Sequence, residues 1–140
     1  KKIDKIYLEN ILTEAKDIIK ETIHQQKIIH MLITKYIIDG NYSSKFTGAI
    51  ECDNLCLELK FISIPNNVIL EIEKILEYYQ IKVSNCLDCN YIENFFKNSH
   101  ISLSEMGHKI QSGANENEVL IVPKNLKKLG FFEKFFQLFS

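Results

Sequence analysis

Four cysteines and four histidines are the residues of this chain with the greatest chemical capacity. Cys52 and Cys56 stand four positions apart, and Cys86 and Cys89 three apart. Two closely spaced thiolate pairs could converge on one tetrahedral zinc ion. The surroundings favour a plainer state. Cys52 and Cys56 lie on or beside an apolar, strand-like run, and the glycines and aromatics typical of zinc knuckles and ribbons are missing. Free cysteine is also a common small core residue. The expectation is no metal and no cofactor, with Cys52, Cys56, Cys86 and Cys89 kept as the alternative zinc set. His24, His30, His100 and His108 show no ligand spacing of the HExxH kind. His30 falls in a strand pattern and is expected as a packed or edge residue rather than a base. Nucleophile elbow, Walker loop and dinucleotide fingerprint are all absent from the sequence. Glu71, Glu73 and Glu77 share a helical stretch with Lys74, which a solvated face explains. No catalytic residues emerge, and the chain is not expected to be an enzyme.

Composition allows a folded core: 46% of the 140 residues are apolar and 25% charged. The net charge of −1 hides a split. Lys124, Lys127, Lys128 and Lys134 against Glu133 alone give the C-terminal segment +3, which leaves −4 for everything before it. An acidic body argues against nucleic-acid binding, and the basic segment calls for an acidic surface. No run approaches the ~18 apolar residues a membrane span requires. No signal-peptide pattern is visible, and four cysteines in an ordinary composition point to a reducing cytoplasm.

The elements that would position these residues follow from periodicity. Asp4 caps a helix to about Lys20, with Leu8, Ile11, Leu12, Ala15, Ile18 and Ile19 on one face. Lys27 to Asp39 is rich in β-branched residues and ends in the turn Asp39-Gly40-Asn41, so it reads as a strand. Between Ala49 and Ile64, Leu55, Leu57, Leu59 and Phe61 alternate with Cys56, Glu58, Lys60 and Ile62. That is the pattern of a half-buried antiparallel partner strand. Pro65-Asn66-Asn67 opens a second helix with Ile69, Ile72, Ile75, Leu76 and Tyr79 as its buried stripe. Ile81-Lys82-Val83 is expected as a short strand, Tyr91 to Phe96 as a third helical segment, and Asn98 to Glu118 as a polar linker. Val119 to Val122 is a short apolar run stopped by Pro123. The expected fold is α+β, a small antiparallel sheet with two helices on one face. A domain over 1–97, a linker over 98–123 and a C-terminal amphipathic helix over 124–140 make up the chain.

That C-terminal segment is the strongest single signal. At 100° per residue, Leu129, Phe131, Phe132, Phe135, Phe136, Leu138 and Phe139 fill about half of a helical wheel. Lys127, Lys134, Gln137, Gly130 and Glu133 occupy much of the other half, and Lys128 can snorkel from the apolar edge. Such a face exposed in a monomer needs a cover. Interfacial membrane binding fits best, through Leu126 and the apolar arc with Lys127, Lys128 and Lys134 meeting an anionic surface. Packing on the chain's own body, or in a partner's groove, are the other two fates.

In its order of elements and its tail the chain resembles FtsA, the family of actin-like bacterial cell-division proteins, and within it the small SHS2-type subdomain. The run KIIHMLITKYIIDG places His30, Tyr36, Asp39 and Gly40 on the family's strand-and-turn pattern, Gly48 and Leu57 follow, and ILEIEKILEYYQIKVSNCL is similar to the next helix and its return strand. GFFEKFFQLF looks like the family's terminal amphipathic helix. The resemblance covers roughly Asp4 to Phe96 and then the tail. Ile33 departs from the family's strand proline, SSKF from its loop, and the glycine-rich phosphate loops are absent, so ATP binding is not carried over. What remains implied is a scaffold on the inner face of the bacterial cytoplasmic membrane at the division site. It would touch FtsZ, later division proteins and further copies of itself.

Overall fold

The structure, a computed structural model, describes residues 1–121. Among these residues five strands and four helices follow in the order β1 (Lys2–Ile3), α1 (Lys5–Thr22), β2 (Gln26–Ile38), β3 (Asn41–Ser43), β4 (Ile50–Glu51), β5 (Leu55–Pro65), α2 (Asn66–Tyr78), α3 (Cys89–Phe95) and α4 (Leu103–Gln111). The α+β class stands, with antiparallel sheets of three and two strands.

α1 begins where the sequence places it. Asp4 accepts a hydrogen bond from the Tyr7 amide at 3.1 Å, satisfying one of the donors a helix start leaves open. Leu8 and Leu12 on its inner face are fully buried. They meet Met31, Ile33 and Tyr36 of β2, with Leu55, Leu57, Leu59 and Phe61 of β5 closing the same cluster. β2 and β5 pair antiparallel from Gln26↔Pro65 to Ile38↔Leu55, with irregularities at Ile28/His30 and Ile33/Lys35. β2 turns into β3 through Asp39 and Gly40, both at positive φ (48° and 81°). This is the geometry of the tight hairpin that Asp-Gly favours. The Asp39 carboxylate also accepts from the Asp53 and Asn54 amides, which ties the start of β5 to this turn.

Three expectations are corrected. Residues 98–118 are not an irregular linker. Ser102 caps α4 by accepting from the Glu105 amide, and Ile110 and Gly107 are buried. Beyond α4 the chain returns to the sheet: the Ile33 amide donates to the Asn117 carbonyl and the Val119 amide to the Met31 carbonyl, both at 2.9 Å. Residues 117–119 thus lie along the edge of β2 opposite β5, and Val119 joins the α1 core. The 81–83 stretch forms no strand; Ile81 is half-exposed just after the helix. Beyond the two expected helices, α3 and α4 are added to the body. α1 covers Met31 and Ile33, while the 88–91 segment reaches His30, whose side chain points the other way. Finally, α2 buries only Ile69 and half-buries Leu76, leaving Ile72, Ile75 and Tyr79 exposed.

The expected membrane-binding residues Leu126, Lys127, Lys128, Leu129, Phe131, Phe132, Lys134, Phe135, Phe136, Leu138 and Phe139 lie outside the described residues. Among the described helices, none is long and apolar enough to cross a membrane.

Candidate functional site

Two features of the folded body bear on function: a buried polar cluster around His30 and an exposed apolar stripe on α2. His30 is wholly buried in β2. Its Nε2 accepts the Asp88 amide at 2.8 Å, and its Nδ1 lies 2.9 Å from Glu118 Oε1. An acceptor at Nε2 requires the neutral tautomer protonated at Nδ1, so Nδ1 donates to Glu118. The contact is a hydrogen bond to a carboxylate rather than an ion pair. Tyr91 packs edge-on against the imidazole, with ring centroids 4.7 Å apart, and Asn115 Nδ2 donates to its hydroxyl at 2.9 Å.

Burial pushes the Glu118 carboxyl above its ordinary value, and the bond from His30 only partly opposes this. Among the described residues Glu118 Oε2 has no hydrogen-bond partner. Burial likewise raises the Tyr91 and Tyr36 phenols. A histidine–carboxylate pair is half of a nucleophile-activating array, since the carboxylate orients the ring. Here the far nitrogen, which would take a proton from a nucleophile, is occupied by a backbone amide. The pair instead clamps β2 to the Asp88 loop and to the 117–119 segment. Sequence inspection placed His30 as a packed residue and missed Glu118, because Asn-Glu-Asn-Glu reads as linker composition.

The cysteines do not assemble. Cys52 is buried, Cys56 and Cys89 are exposed, and Cys86 is intermediate; all four are free thiols. Among the described residues no group of three or more His, Cys, Asp or Glu is placed to hold a metal ion, so the alternative zinc set is not brought together.

On α2, Val68, Ile72, Ile75 and Tyr79 recur at helical spacing and form one stripe. All four are exposed, Ile75 at 62% and Tyr79 at 66%. Glu71, Glu73 and Glu77 against Lys74 make this helix acidic. Near its first turn a cleft of about 910 Å³ opens, with Asn66, Phe61 and Ile121 on its walls and Lys16, Lys20 and Lys27 beside them. Burial, then the charge of Lys20, holds the Lys16 ammonium below its ordinary value. The last described residue and the first residue of α2 therefore border the same cleft.

No known protein family, curated protein or solved structure matches this chain.

Proposed function

We propose that this chain is a non-enzymatic scaffold domain. It presents an apolar stripe to other proteins and is held on the cytoplasmic face of a membrane by its C-terminal segment, at the bacterial division site that its resemblance to FtsA implies. The observation that carries the scaffold reading is the α2 stripe. Four large apolar side chains at helical spacing stay in water although the core beneath α1 is closed. Contiguous exposed apolar surface of this kind marks an interaction site. The order α1, β2, β5, α2 is compatible with the resemblance, but the return strand it implies after that helix is not formed. The occupied Nε2 of His30 favours a structural rather than a chemical role for the one buried histidine pair.

Membrane attachment rests on the amphipathic pattern of 124–140: five phenylalanines, worth on the order of 2 kcal/mol each when fully removed from water, beside four lysines. The expected result is that a fluorescent fusion of the full chain marks the cell envelope at mid-cell, and that deleting Gly130–Ser140 releases it to the cytosol. Unchanged localisation of the deletion would remove the membrane reading.

A further inference from the structure

We propose that the C-terminal segment Lys124–Ser140 docks along the Val68–Ile72–Ile75–Tyr79 stripe of α2 when no membrane is present, so that lipid and α2 compete for one set of phenylalanines. This inference rests on the amphipathic reading of the segment given above and assigns that segment a second, intramolecular surface.

Three observations favour this occupant. The first is charge. α2 carries −2, from Glu71, Glu73 and Glu77 against Lys74, while the segment carries +3. A second copy of α2 on the same stripe would bring two acidic helices together, and an anionic bilayer would repel them. The basic segment is attracted. The second is reach. Ile121 and Asn66, the first residue of α2, border the same cleft. The four residues from 122 to 125 can extend over roughly 13 Å, which lets the following segment leave from the cleft that α2 also borders. The third is length. Leu126 to Phe139 at helical rise spans about 21 Å, and the thirteen residues of α2 span about 20 Å. A helix of that length would run alongside the whole of α2. Tyr78 and Tyr79, in edge-to-face contact at 5.2 Å, would meet phenylalanine rings at the far end.

The test uses the full chain and the variant Ile75→Asp, which alters an exposed position and should leave the α1–β2–β5 core intact. Amide hydrogen exchange without lipid reads the docking directly. Exchange within 126–139 is expected to quicken about tenfold in the variant. Sedimentation with vesicles of phosphatidylserine and phosphatidylcholine reads the competition. The variant is expected to bind several-fold more tightly than the unsubstituted chain, because a larger fraction of segments is free. A charge-reversed pair adds a control: Glu71→Lys should loosen the segment and Glu71→Lys with Lys134→Glu should restore it. Unchanged exchange in Ile75→Asp overturns the docking, and vesicle binding by both proteins would then leave the membrane reading standing. Quickened exchange with no vesicle binding by either protein upholds the docking and ends the membrane reading. A concentration-dependent dimer that Ile75→Asp abolishes gives the stripe to a second copy and overturns the inference.

Discussion

His30 and Glu118 show how a buried polar pair can be structural in detail. The imidazole meets a backbone donor on one side and a carboxylate on the other, so each ring nitrogen has a single compatible role. Glu118 is the less comfortable partner, with burial raising its pKa and one oxygen unpaired among the described residues. A carboxyl whose folded pKa lies above its unfolded value favours folding when protonated. That contribution is full below the unfolded pKa, near 4.5, and is lost as pH rises through the raised folded value. Glu118→Gln keeps an acceptor for His30 Nδ1 and removes the titration. Urea melts at several pH values should show the glutamine variant gaining on the unsubstituted chain as pH climbs from 4.5 towards neutrality, then holding a constant margin. A constant margin over the whole range would mean that Glu118 is not raised. His30 was legible as a buried strand residue from its apolar neighbours. Glu118 was not, since its partner lies 88 positions earlier and its local composition is that of a loop.

At the scale of elements, α1, β2, β5 and α2 could be read from the sequence because each carries its own punctuation. Asp4 caps, Asp39-Gly40 turns, leucines alternate along β5, and Pro65 opens a helix. α4 escaped because its pattern is thin: Met106 and Ile110 supply an i, i+4 apolar pair, and Gly107 sits between them. Its glycine is there for close approach. A Cβ at Gly107 would stand 3.2 Å from Leu87 Cδ1. The stretch after it escaped for a different reason. Asn115 and Asn117, typical loop residues, serve as anchors: Asn115 holds the Tyr91 hydroxyl, and Asn117 accepts from the Tyr36 hydroxyl at 3.3 Å. Because α4 belongs to the folded body, Ile110→Ala should cost roughly 2–4 kcal/mol, as for other fully buried isoleucines. Thermal unfolding measures this directly. A change within experimental error would return 98–118 to the status of a linker. The α2 stripe illustrates the opposite error. Periodicity showed that Ile72, Ile75 and Tyr79 share a face, but not whether the protein itself supplies the other side of the contact.

For the molecule as a whole, the division of charge sets the behaviour expected at a lipid surface. A body of −4 should be repelled by anionic headgroups while the +3 segment is drawn to them, so attachment should hold the body away from the bilayer rather than flat upon it. Binding of the full chain to phosphatidylserine vesicles is therefore expected to weaken several-fold between 50 and 500 mM salt, and to be weaker still on neutral lipid. Vesicle co-sedimentation checks both. Binding indifferent to salt and headgroup would place the attraction in the aromatic rings alone.

The return of residues 117–119 to β2 also governs when this protein can fold. The central strand of the sheet, its histidine and the helix that covers it all belong to the first third of the chain, yet the segment that completes that strand's edge comes last. Closing a loop of more than eighty residues is slow compared with forming a hairpin or a helix. On a ribosome, the β2–β5 hairpin and α1 would therefore emerge and pair early, and then wait with one flank of β2 unfilled until synthesis has passed Val119. The five phenylalanines of the C-terminal segment are made only after the last stretch of the described body.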